Sequence, residues 1–182
     1  MPQEIDDFEA ERNPTQWARE ILANPDKYCV LDTETTGLSN AEPVEIAAIG
    51  LDGKTLITLR LKPSIPIERG AQQIHGISNA DIKDAPTFAQ IFADLVWAIG
   101  DRTVLIYNAG FDTGVLENAC KAYGLTCPSW VIDCVMIPYS EFVGEWNSYH
   151  GNYKWQKLPS GDHSALGDCR ATLKIIQEMA NG

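Results

Sequence analysis

An apolar run that ends in two carboxylates constrains this chain more than any other feature. Tyr28-Cys29-Val30-Leu31 leads directly into Asp32-Thr33-Glu34-Thr35-Thr36-Gly37. Cys, Val and Leu in succession suit a strand covered on both faces of a sheet. In extended backbone, residues i and i+2 project to the same side, so Asp32 and Glu34 emerge together at the strand's end. Two acids held side by side repel unless a cation lies between them. Oxygen-only ligands favour a hard divalent ion. Standing alone, Asp-x-Glu also fits a solvated strand edge that turns at Thr36-Gly37. The rest of the chain decides between the two.

The remaining pattern predicts a sheet. Residues 43–51 read as a second strand, Asp52-Gly53 as a two-residue hairpin turn, and residues 55–61 as a third strand, which makes an antiparallel meander. Residues 103–107 and 130–133 are two further short apolar runs, predicted to lie parallel to the first. Asn13-Pro14 opens a helix over about 14–23. Phe88, Ile91, Phe92, Leu95, Val96 and Ile99 recur at helical spacing after Pro86-Thr87. Further helices are predicted over about 115–123, closed by Gly124, then 134–143 and 164–179. This order implies an α/β fold with a mixed central sheet flanked by helices, antiparallel at one side and parallel in the middle. Residues 1–24 read as an N-terminal arm and helix, with 1–13 a loose acidic arm, and 25–182 as one domain.

Composition narrows the classes. No apolar run approaches the roughly 20 residues needed to span a bilayer, so no membrane partner is expected. The acidic N-terminus carries no apolar leader. Five cysteines without Cys-x-x-Cys spacing suggest free thiols and a cytoplasmic location. A net charge of −11 argues against a broad electrostatic grip on duplex nucleic acid. It leaves open an enzyme that holds a few nucleotides through metal ions.

Ligands in such sheets collect at the carboxyl ends of parallel strands. Asp32/Glu34 and the polar stretch Asn108-Ala109-Gly110-Phe111-Asp112 both fall there. A third acidic element, His163-Ser164-Ala165-Leu166-Gly167-Asp168, opens the last helix. His163 is placed in the loop before it and Asp168 in its first turns; alternatively, His163 caps the helix and Asp168 is solvated. Asp32, Glu34, Asp112 and Asp168, with one histidine and no cysteine cluster, suit Mg2+ or Mn2+ rather than zinc. Two such ions about 4 Å apart are suited to in-line displacement at phosphorus. His163, with an ordinary pKa of about 6.5, could take the proton from the attacking water. Between this element and the sheet, Trp146, Tyr149, Tyr153 and Trp155 interleave with His150, Lys154 and Lys157. They read either as a substrate-facing loop that stacks on unpaired bases or as a small satellite core.

The three ordered elements resemble the motifs of the DEDDh exonucleases, the group that includes the proofreading subunit of bacterial replicative polymerase and ribonuclease T. Gln73-Ile74-His75-Gly76-Ile77 is also similar to that family, and the resemblance covers about residues 28–180. It implies a ribonuclease H-like fold and 3′→5′ hydrolysis of single-stranded nucleic-acid ends to nucleoside monophosphates. It further implies that Asp32 bridges two metal ions, that Glu34 and Asp168 hold the first and Asp112 the second, and that His163 is the general base. Thr35, His75, Asn108 and Phe111 match positions that line the terminal-nucleotide pocket, although His75 alone reads as a packing or capping residue. Thr33, Thr35 and Thr36 follow the DNA-polymerase-associated pattern, which favours DNA trimming or proofreading over RNA-end trimming and allows a polymerase partner. All five catalytic positions are filled, against an inactive binding module. Two departures stand out: Tyr107 where the family often has His, and a shorter segment before His163.

Overall fold

The computed structural model describes residues 13–182. The acidic arm expected over 1–13 therefore lies, apart from Asn13, outside the described residues. Five strands form one sheet: β1 (Tyr28–Thr35), β2 (Pro43–Gly50), β3 (Thr55–Arg60), β4 (Thr103–Ile106) and β5 (Ile132–Cys134), in the order β3-β2-β1-β4-β5. β1, β2 and β3 pair antiparallel, whereas β1, β4 and β5 pair parallel. This is the mixed sheet that the sequence predicts.

The period-two alternation of β1 divides the core. Cys29 and Leu31 point to one face, where they meet Leu95 and Ile99 of α3 (Phe88–Ile99) and Leu116 and Ala119 of α4 (Ala109–Ala122). Val30 points to the other, against Trp17 and Ile21 of α1 (Pro14–Leu22) and Cys169 and Ile176 of α6 (Ala165–Asn181). Each fully buried aliphatic side chain contributes about 1.5–3 kcal/mol of transfer free energy. Asp32 and Glu34 continue the Val30 side, so α6 is the helix that covers them. Asn13 caps α1 by accepting from Thr15 N and Gln16 N, and Trp17 Nε1 donates to Asp133 Oδ2 at 3.1 Å, which ties the helix to β5. Among the described residues no helix is long and apolar enough to cross a membrane.

Several boundaries differ from the sequence reading. The β2–β3 connection is not a two-residue turn. Gly50 N donates to Lys54 O and Gly53 N to Gly50 O, and Gly53 takes φ 78°, so residues 51–54 form the loop. α4 begins at Ala109 rather than at 115, because Asn108 makes the break (φ −119°, ψ 67°) and Gly110 sits inside the first turn. β5 starts two residues late, and α5 runs Met136–Val143. A helix that the sequence analysis does not predict, α2 (Arg69–His75), buries no residue and so leaves no apolar stripe to read. Residues 146–153, for which the sequence predicts no strand, form a two-stranded hairpin, β6 (Trp146–Asn147) with β7 (Asn152–Tyr153).

Candidate active site

β1 outruns its parallel neighbour. β4 pairs with it only over Tyr28–Val30, so the N–H of Thr33 has no strand partner on that side. The first turn of α4 supplies one: Asp112 Oδ1 accepts from Thr33 N at 3.1 Å and from Thr33 Oγ1 at 2.7 Å. Asp112 is 5% exposed, and a carboxylate that deep requires such partners. Its place in the first turn also sets it at the positive end of a 14-residue helix.

The other half of the site is built on the start of α6. Ala165 N donates to Glu45 Oε2 at 2.9 Å, and Glu45 stands opposite Glu34 across the β1–β2 pairing, with Arg60 Nε 3.5 Å from its other oxygen. Ser164 caps the helix by accepting from Gly167 N at 3.1 Å. Asp162 Oδ1 accepts from Ser164 N and Oγ, while Asp162 N donates to Asp168 Oδ1 at 2.9 Å. A side chain on Gly167 would collide with the Asp162 carboxylate, which explains glycine before Asp168. His163 lies in the loop, exposed and at φ 59°. One ligand atom each from Glu34, His163 and Asp168 lies within 4.8 Å of the other two.

Crowded acids in a half-dry site resist ionisation. Burial, then the charges of Asp112, Asp168, Glu34 and Glu45, push Asp32 well above the usual carboxylate range. Burial, followed by Asp168 and Glu45, raises Glu34 to about 8. Burial lifts Asp112 to about 6, offset by the two bonds from Thr33. Burial also raises Asp168, offset by the backbone N–H groups of Asp162 and His163. Oxygen donors held in mutual repulsion, with one imidazole beside them, fit a hard divalent cation.

A cleft of about 320 Å³ opens beside Glu34, lined among others by Thr35, Leu38, Ile74, His75 and Phe111. His75 Nε2 lies 3.1 Å from Thr35 O and its Nδ1 accepts from Ile77 N at 3.0 Å. That pairing places the ring proton on Nε2, and burial lowers the ring's pKa. His75 thus closes α2 and lines the cleft at once. Thr35 Oγ1 donates to Gly37 O at 2.9 Å. Asn108 stands apart: it is the exposed residue before α4, makes no side-chain cap bond, and does not line this cleft.

Sequence reasoning missed Thr33, Glu45 and Asp162, whose side chains position the predicted acids. Glu45 had a signal, as the single charged residue in the apolar strand Pro43–Gly50. Thr33 stood out only through the resemblance, in the Thr33, Thr35 and Thr36 pattern, and Asp162 not at all, since their partners are set by where strand and loop end in space.

A family model described as an exonuclease, RNase_T, matches residues 29–176. The uncharacterised exonuclease CP81 of Escherichia phage 186 is 35% identical over 175 residues, covering 86% of this chain and 90% of that protein. The DNA polymerase III epsilon subunit of Buchnera aphidicola subsp. Schizaphis graminum is 30% identical over 181 residues, covering 88% of this chain and 77% of that one. Among solved structures, exonuclease X in complex with 5′-overhanging duplex DNA aligns with a TM-score of 0.59 at 27% identity, over 85% of this chain and 93% of the other.

Proposed function

This chain belongs to the RNase T-type exonuclease family of the DEDDh class, and from that premise we propose that it removes nucleotides from the 3′ ends of single-stranded nucleic acid, DNA in preference to RNA, releasing nucleoside monophosphates. The observation that carries this reading is the approach of Glu34, His163 and Asp168 within 4.8 Å at the end of the strand that also bears Asp32. Asp32, Glu34 and Asp168 would hold one divalent ion, and Asp32 with Asp112 a second, Mg2+ or Mn2+ in each case. When bound, such a pair supplies Lewis acidity that acidifies water and neutralises charge at a phosphoryl group.

The chain's own groups do the rest. His163, exposed at the mouth of the site, accepts the proton of the attacking water on a ring nitrogen and passes it to solvent. Phe111 and Ile74 flank the terminal base in the cleft, where a face of aromatic and aliphatic carbon suits any nucleobase. His75 holds the carbonyl of Thr35 and so fixes the backbone floor on which the terminal sugar rests. Likeness to epsilon subunits supports a trimming or proofreading role beside a polymerase.

The test is digestion of 5′-labelled single-stranded DNA, blunt duplex DNA and RNA of matched sequence, with Mg2+ or Mn2+. The expected outcome is a ladder that shortens one nucleotide at a time from the 3′ end, fastest on single-stranded DNA. Internal cuts, or release of label as a mononucleotide at the outset, overturn the reading.

A further inference from the structure

Tyr107 and the segment before His163 touch each other. Tyr107 directly follows β4, and its hydroxyl donates to Gln156 O at 2.9 Å. Gln156 follows the β6–β7 hairpin, and Leu158 just after it packs against the α1/α6 core. The residue after Tyr107 is Asn108, which directly precedes α4, the helix that carries Asp112 in its first turn. The hairpin is therefore fastened at the carboxyl edge of the sheet, the same edge that carries the acids.

Its aromatic side chains do not form a satellite core. Trp146 is 56% exposed, Tyr149 89% and Trp155 72%. Trp146 meets Tyr153 edge-on at 5.2 Å, and Tyr149 meets His150 edge-on at 4.8 Å, contacts that stiffen the rings. Asn147 Oδ1 accepts from Tyr149 N and His150 N and orders the turn. Along one side runs a groove of about 540 Å³ lined by Asn147, His150, Asn152, Tyr153, Lys154 and Trp155. No carboxylate lines it. In a chain of 25 acids and 14 lysines and arginines, residues 144–157 hold one acid, Glu145, against Lys154 and Lys157.

Lys154 Nζ lies 3.5 Å from Glu145 Oε2 in a solvent-exposed pair that a phosphate can displace, and the flat rings, amides and ammonium group of the groove complement unpaired bases and a phosphate backbone. We propose that the Tyr107-anchored β6–β7 hairpin is a second binding site for the DNA strand. Its groove would take unpaired bases upstream of the 3′ end, and the enzyme would use it to prefer single strands of sufficient length. The proposal rests on the reading of the chain as a 3′ exonuclease.

Fluorescence anisotropy with 5′-fluorescein-labelled dT20, with Ca2+ as the divalent ion, tests it on the full chain. The double substitution Trp155→Ala/Lys154→Ala is expected to raise Kd for dT20 about 10-fold, the loss of one stacked base and one phosphate contact. Its effect on a blunt 20-base-pair duplex is expected to be less than about twofold, because paired bases offer no free faces. Both residues are exposed, so the melting temperature serves as the folding control. Tyr107→Phe, which keeps the ring and releases the anchor, is expected to weaken dT20 binding about threefold. A Kd for dT20 within twofold of wild type in the double variant overturns the proposal. Equal losses on single strand and duplex also overturn it, reducing the groove to an undirected basic patch. A wild type that binds dT20 through this groove yet degrades no strand in Mn2+ refutes the exonuclease reading and leaves the groove standing.

Discussion

The two halves of the site are built by different means. On the β1–α4 side, the acids come from regular backbone. Asp32 and Glu34 ride a central strand, and Asp112 is buried in a helix's first turn with two bonds from Thr33. On the α6 side, the groups come from a loop that turns sharply: Ser160 and His163 both adopt positive φ, and Asp162 braces Ser164 and Asp168 around them. A non-glycine residue in that region carries a cost on the order of 1–3 kcal/mol, sustained here by the surrounding bonds. In the proposed reading the strand half supplies Asp32, Glu34 and Asp112 to the metal ions, and the loop half supplies Asp168 and the base His163.

Substitutions that separate the halves should have unequal effects. Asp32→Ala is expected to abolish hydrolysis while the metal-free fold keeps or gains stability, because one of several repelling carboxyls is gone. A variant that retained a tenth of wild-type turnover would remove Asp32 from the centre of the site. His163→Ala is expected to lower turnover by roughly 10²–10⁴-fold with the Mn2+ concentration for half-maximal rate unchanged. If metal dependence shifted along with rate, the histidine would act as a metal ligand and not as the base.

A smaller loss is expected from Thr33→Val, which keeps the strand shape and the backbone donor but removes the 2.7 Å hydroxyl bond to Asp112. Groups that orient ligands are typically worth 10–100-fold in metal affinity or activity. The loss should appear as a raised Mn2+ requirement that saturating metal largely restores. A fall in turnover at saturating Mn2+, with the requirement unmoved, would mean that Asp112 needs no clamp.

This division also accounts for what was legible in the sequence. The strands and core helices follow from apolar spacing, because each must bury one face: Val30 and Leu31 already assign two sides of the sheet. The acid-bearing segments were legible because Asp32 and Glu34 break a buried apolar run and two further polar segments, at Asp112 and Asp168, follow the same order of elements. Partners that act across space were not. Thr33 meets Asp112 only because β4 stops short, and Glu45 meets Ala165 only through cross-strand register. α2 buries nothing, and Gly110 hid the true start of α4. The aromatics of residues 146–155 were open to two readings because Trp and Tyr suit both a core and a wet surface; burial alone separates them.

The mildest prediction concerns stability against pH, and it reports on the strand half by itself. A carboxyl whose folded pKa lies above its unfolded value binds a proton in the folded state that the unfolded chain has released. Its contribution is complete below the unfolded pKa and is lost as pH rises through the folded one. For Glu34 that window runs from 4.5 to about 8, and for Asp112 from 3.8 to about 6. The metal-free protein should therefore melt at progressively lower temperature as pH rises from 5 to 8, with the Asp112 part of the decline fading above about pH 6 while the parts from Glu34 and Asp32 continue. A bound divalent ion prefers the ionised carboxylates, so Mn2+ should raise the melting temperature more at pH 8 than at pH 5 and flatten the profile. Glu34→Gln, which cannot ionise, should flatten the metal-free profile between pH 6 and 8. Calorimetric scans in EDTA and in Mn2+ across that range provide the check. A metal-free melting temperature that holds level or climbs from pH 6 to 8 would show that the strand acids are not forced together before metal arrives, and the contrast between the two halves would lose its electrostatic basis.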